Sequence, residues 1–171
     1  MPAKDPKEVF LTLLSDVRQN TERAAKIYKE VGQMAQDPQI KEALEARAFI
    51  SERTLEKLDQ CFKLIGEQPV KLTGRLQEVF VEDFRKELNE IQGPVARHLF
   101  ILAKVSHLTH LRIGEYVALV AAADLAGHHG VGALLESCLA DKMAFAERNR
   151  RLIRHVLEAK VAERKAAERA A

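Results

Sequence analysis

Thr21, Ser51, Glu52, Ser106, Thr109, His110, Arg112, Asp141 and Lys142 are the residues of this chain whose type and position invite chemistry. Each falls near the midpoint of a long segment whose other inward positions are apolar. In a helical bundle such midpoints meet at one depth, where Glu and Glu-x-x-His pairs commonly hold two metal ions. Two divalent cations need several carboxylates to neutralise and bridge them. Glu52, His110 and Asp141 are weak candidate ligands, and a one-residue slip on the first helix would add Glu22. Arg112 and Lys142 bring fixed positive charge into or beside the same layer. Against a metal ion a few ångströms away, each such pair repels by about 4 kcal/mol at intermediate dielectric. The expectation is therefore a central polar layer of Thr21, Ser51, Ser106, Thr109, Arg112 and Lys142, without bound metal and without a catalytic or cofactor-binding residue. Glu52 and Asp141 could pair with Arg112 and Lys142, since buried charges must be compensated. Alternatively Glu52, Arg112 and Lys142 reach out to water, leaving Ser51, Ser106, Thr109 and His110 as the layer.

Four long helices are expected to position these residues. Asp5-Pro6 and Asp37-Pro38 are start signals, a capping carboxylate followed by proline in the first turn. The first helix runs from Asp5 to about Gln36, with Phe10, Leu13, Leu14, Val17, Thr21, Ala24, Tyr28 and Val31 on one face. The second runs from Asp37 to Gly66, with Ile40, Leu44, Ala48, Ser51, Leu55, Leu58 and Phe62 inward. Gly66-Glu67-Gln68-Pro69 breaks the chain, a shorter helix spans Leu72 to about Ile91, and Gly93-Pro94 is a second break. The third long helix covers Pro94 to about Ala126, with Leu99, Leu102, Ala103, Ser106, Thr109, His110, Ile113, Tyr116, Val120 and Ala123 on its inner face. The fourth starts near Val131 and carries Leu135, Cys138, Lys142, Phe145 and Val156. Short links make two antiparallel hairpins, and the long link from 67 to 93 crosses between them. The fold class is all-α: a ferritin-like four-helix bundle with a short helix in its crossover. One domain is expected over 1–171, with its core at about 5–156 and a charged helical tail after it.

Composition agrees. The chain has 171 residues, only 8 Gly and 5 Pro, and no Trp, which suits helices packed on aliphatic side chains. A net charge of +2 argues against nucleic acid or acidic lipid as an obligate partner. Cys61 and Cys138 are expected as buried thiols in a reducing compartment. The N-terminus lacks an apolar export segment and no apolar run reaches spanning length, so a cytoplasmic protein without membrane contact is expected. His107 and His110, the pair His128-His129, and the run Arg148, Arg150, Arg151, Arg154 read as ordinary surface or satisfied groups. No Gly-rich phosphate loop, Ser-His-Asp set or Cys-x-x-Cys pair is present.

Several strings resemble the YciE/YciF family of ferritin-like bacterial stress proteins, long classed as a domain of unknown function. They are VFLTLLSD at Val9–Asp16, DPQIKEAL at Asp37–Leu44, LEKLDQCFKLIGEQP at Leu55–Pro69, LTGRLQE at Leu72–Glu78 and HLRIGEYVAL at His110–Leu119. The resemblance implies an internal two-metal site. Its ligand positions fall here at Thr21, Phe49, Glu52, Thr109, His110, Arg112, Ala140, Asp141 and Lys142, so most carboxylates are replaced. It also implies a homodimer. Two functions follow: a non-enzymatic, stress-associated bundle that has lost its metals, or a di-iron or di-manganese protein reacting metal with oxygen or peroxide.

Overall fold

The computed structural model describes residues 5–74 and 76–170, which form five helices: α1 (Pro6–Met34), α2 (Pro38–Ile65), α3 (Leu76–Glu90), α4 (Pro94–Leu125) and α5 (His129–Ala170). The two Asp-Pro signals act as caps. Asp5 accepts a hydrogen bond from Lys7 N at 2.9 Å, and Asp37 accepts from Gln39 N and Ile40 N at 2.8 and 3.1 Å. Gly66, at φ 71°, ends α2 in a left-handed conformation that a Cβ would oppose. At the α4–α5 turn Gly127 is also left-handed, and His128 N returns to Ala123 O at 2.9 Å. These tight links leave α1 against α2 and α4 against α5, and the hairpins join through α2–α5 and α1–α4 contacts. This is the ferritin-like bundle.

The crossover differs from the sequence reading in where its helix begins. Residues 67–74 are not helical. They run along α1 as an extended strap whose backbone groups are taken up by α1 side chains. Ser15 Oγ accepts from Val70 N at 2.9 Å, and Gln19 exchanges two bonds with the Leu72 backbone at 3.0 and 3.2 Å. The side chain of Arg23 donates to Gly74 O. Pro69 and Gly74 disfavour helix there, and the borrowed partners satisfy the backbone without it. α3 then packs on α1 and α4, burying Val81, Phe84 and Leu88.

The phase of α4 also differs. Its buried positions are Ile101, Leu102, Val105, Leu108, Thr109, Arg112, Tyr116, Leu119 and Ala123. Ser106 is half-buried, and Ala103 and His110 are exposed. α4 is apolar on almost every side, with Leu111, Val117 and Leu125 facing outward, so hydropathy alone cannot fix its rotation. The end of α5 continues as a helix past Val156, its residues from 157 to 169 all exposed.

Buried apolar residues fall into two clusters. One gathers Tyr28, Leu44, Phe84, Leu102, Leu108 and Phe145, and the other Phe10, Leu14, Leu58, Tyr116, Leu119 and Leu135. Leu119 is 0 % exposed and Leu125 is 87 % exposed, although both lie on α4. Replacing Leu119 with Ala should lower stability by about 2–5 kcal/mol in urea denaturation, and Leu125→Ala by less than about 0.5 kcal/mol. Equal effects would mean that α4 presents the two positions to the same surroundings, in conflict with this rotation.

Candidate functional site

Between the two apolar clusters lies a polar belt. On α1 the clusters stop at Val17 and resume at Ala24, with Thr21 between them. On α2 the gap from Ala48 to Leu58 holds Ser51 and Thr54, on α4 the gap from Leu108 to Tyr116 holds Thr109 and Arg112, and on α5 Lys142 lies between Cys138 and Phe145. Arg47 joins the belt from α2. Arg47, Arg112 and Lys142 are 2, 3 and 2 % exposed.

The hydroxyls close on their own helices. Thr21, Ser51, Thr54 and Thr109 donate to Val17 O, Arg47 O, Ile50 O and Val105 O at 2.7 to 3.0 Å. The three cations are held in three different ways. Arg112 Nη1 donates to Glu115 Oε2 at 2.5 Å, one turn along α4. Burial raises the Glu115 carboxyl above its ordinary range, opposed by the adjacent Arg112. Arg47 lies between aromatic faces, its Cζ 5.5 Å from the Tyr28 ring centroid and 5.0 Å from that of Phe145. Lys142 Nζ sits 4.1 Å over the Tyr116 ring. Burial, then repulsion from Arg47 and Arg112, lowers its pKa from 10.5 to about 7. Arg47 Nε and Nη1, Arg112 Nε and Nη2, and the Tyr28 and Tyr116 hydroxyls are buried without a hydrogen-bond partner of good geometry.

The sequence candidates divide as follows. Thr21, Ser51, Thr109, Arg112 and Lys142 are buried at this depth. Ser106 and His110 instead line a surface groove with Met143, Glu147 and Arg150, and His110 Nδ1 lies 2.8 Å from Ser106 O. Glu52 is exposed and pairs with neither cation, because it lies one residue past the inward position Ser51. Asp141 faces Lys57 at 3.4 Å near the surface. Phe49 is 61 % exposed. The α2 positions three residues apart that face the belt are Ser51 and Thr54, not Phe49 and Glu52, since only the former pair shares the buried helical face. Sequence reading missed Arg47, Thr54 and Glu115. The alternating steps of three and four through Leu44, Arg47, Ser51, Thr54 and Leu58 were the available signal.

The remaining motifs have structural partners. Arg148 bonds Glu42 at 3.0 Å, and Arg150 and Arg151 face Glu147. His128 packs on Phe10 and His129 lies 3.6 Å from Asp124. Cys61 and Cys138 are buried free thiols. Burial pushes Cys61 up to about 12 and raises Cys138 as well, which keeps both protonated.

A family model extends over nearly all of this arrangement, from residue 5 to residue 165. The chain belongs to DUF892, a domain of unknown function. No curated protein matches it. Its fold matches the crystal structure of the Escherichia coli stress protein YciF with a TM-score of 0.86 at 18 % identity, covering 91 % of this chain and 99 % of that one. YcfI from Rhodopseudomonas palustris matches with a TM-score of 0.83 at 19 % identity, over 87 % and 95 %. A protein from Xanthomonas campestris pv. campestris matches at 0.67 and 20 % identity, over 96 % and 99 %. The YciE/YciF resemblance and the ferritin-like fold are thus shown.

The belt of this DUF892 chain does not fit the two-metal centre that the resemblance implies. Among the described residues no three His, Cys, Asp or Glu side chains gather as a ligand set. The groups that do gather are donors carrying positive charge, the inverse of what a divalent cation requires.

Two measurements probe the belt. Below pH 7 the folded and unfolded states both hold the Lys142 proton, and the native state carries a buried charge. From pH 7 to 10.5 the native amine gives up its proton first. Lys142 should therefore make stability rise with pH across that window, by up to about 1.4 kcal/mol per unit. Above pH 9 the buried thiols Cys61 and Cys138 act in the opposite direction in any variant that keeps them. The quantity to read is therefore the stability of wild type minus that of Lys142→Met by urea denaturation, which should rise with pH across the window. Removing the carboxylate that compensates Arg112, by Glu115→Gln, should destabilise the protein by about 3–5 kcal/mol. The double variant Arg112→Met, Glu115→Gln should recover part of that loss, and simple additivity would show that the pair is not coupled.

Proposed function

We propose that this chain is a non-enzymatic ferritin-like bundle whose two-metal centre has been replaced by its own side chains. In this reading it serves as a stress-associated, homodimeric protein of the cytoplasm. One observation carries the proposal: Arg47, Arg112 and Lys142 are buried together at the depth where such bundles hold ions. Their charges oppose a metal pair, and the carboxylates that would bridge it are missing or face outward. YciF is described as a stress protein, which supports the stress association. No helix among the described residues is long and apolar enough to cross a membrane. The homodimer is carried over from the resemblance to ferritin-like relatives.

Untagged protein grown with added iron and manganese is expected to carry well under one metal ion per chain by elemental mass spectrometry. Light scattering is expected to give twice 19.2 kDa. Near-stoichiometric iron or manganese would overturn the metal-free reading in favour of a metal-oxidising protein, and a monomer would remove the homodimer.

A further inference from the structure

α4 is the most apolar of the five helices, and its outward face shares that character. One side of α4 is turned into the belt, where Thr109, Arg112 and Tyr116 are buried. The opposite side, at the period of a helix, carries His107, His110, Leu111, Gly114, Val117, Ala118 and Ala121, and every one of them is exposed. No Asp, Glu, Lys or Arg interrupts that face. The outward face of α2 shows the ordinary alternative, with Glu45, Glu52, Arg53 and Glu56 in water. A helix that is apolar all round is the pattern of one covered on both sides.

Gly114, at the centre of this face, gives a second and independent sign. Its φ is not positive, and a Cβ at this position would meet nothing within 4 Å inside the chain. Neither a turn nor a packing contact within the protomer calls for glycine there, and glycine destabilises a helix interior relative to alanine. Close approach of a backbone from outside the chain does call for it.

We infer that this face is the contact between two copies of the chain, the α4 helices packing antiparallel with Gly114 of each at the two-fold axis. The inference rests on the homodimer of the proposed function and gives it a surface. A second copy fits because the face complements itself. In an isologous contact each residue before Gly114 lies level with one after it. His107 falls against the partner's Ala121, Leu111 against the partner's Ala118, and Val117 beside the partner's His110. Bulk meets a small side chain in the first two pairs, and the facing glycines let the backbones close.

The area agrees with a dimer of modest strength. From Ser106 to Ala122 the face is about 24 Å long at about 1.5 Å per residue, and α4 with the adjoining flank of α5 at Met143 and Ala146 is about 20 Å wide. Such a strip covers roughly 500 Å² per copy, close to the lower bound of about 1,000 Å² in all for specific association. Leu125, nearly a turn further along, lies outside it. Glu147 and Arg150, bonded to each other at 2.8 Å, stand at the edge of the strip as a polar rim.

Sedimentation equilibrium of the full chain over a concentration series tests this. Wild type should follow a monomer–dimer equilibrium. Gly114→Leu, which adds a side chain at the axis, and Val117→Arg, which puts a charge on the face, should each raise the dissociation constant about a hundredfold. Phe49→Arg, on the outward face of α2, should leave it unchanged. Far-UV circular dichroism should show all three variants folded, because each position is exposed in the protomer. If one α4 variant does not fold, the other decides alone. Dimers of wild-type strength in the α4 variants would overturn this face while leaving the homodimer intact. A wild-type chain that stays monomeric throughout the series would overturn both.

Discussion

Positive charge held in an apolar interior is the constraint around which this molecule is arranged. Desolvating an ion costs several kcal/mol even after relaxation, so each of Arg47, Arg112 and Lys142 needs a local answer. Three answers occur side by side. Arg112 takes a carboxylate one turn away on its own helix. Arg47 lies between the faces of Tyr28 and Phe145. Lys142 moves toward its neutral form over Tyr116. Each answer draws on a residue at the edge of an apolar cluster, so the belt and the two clusters are built together.

This arrangement explains why the belt is continuous around the bundle. A polar residue on one helix alone would face the apolar stripes of the other three. In this bundle Thr21, Ser51, Thr54 and Thr109 ring the cations, and because they bond back to their own helices they add no unpaired donors. The crossover strap lies along α1, where Ser15, Gln19 and Arg23 take up its backbone groups. One face of α1 thus lines the belt and a neighbouring face binds the chain that links the hairpins. Relatives of under 25 % identity share the fold, as expected when backbone geometry rests on apolar spacing more than on particular side chains.

Much of the architecture was legible in local chemistry. The Asp-Pro pairs mark the starts of α1 and α2, Gly66 marks the end of α2, and the stripes of α1, Leu13 apart, and of α5 identify their inward faces. Thr21, Ser51, Thr109, Arg112 and Lys142 could be named as mid-depth residues from spacing alone. Ser106 and His110 were misplaced because helical phase is ambiguous where a helix is apolar all round, while Glu52, which adjoins the stripe and for which an inward and an outward position were both open, faces water. Arg47 went unnoticed because Ala48 beside it offers an equally regular stripe, and arginine reads by default as exposed.

The chain by itself determined that four long helices form and pair as hairpins, because caps, breaks and apolar periodicity act within a few residues of where they are written. Which side chains share the centre was settled only by packing. A rotation of one residue position, about 100° around a helix, moves a side chain from core to water. No local rule sets that angle for α4 or for the Arg47 turn of α2. It follows from how all four helices fill the interior at once, and that filling brings three cations to one depth.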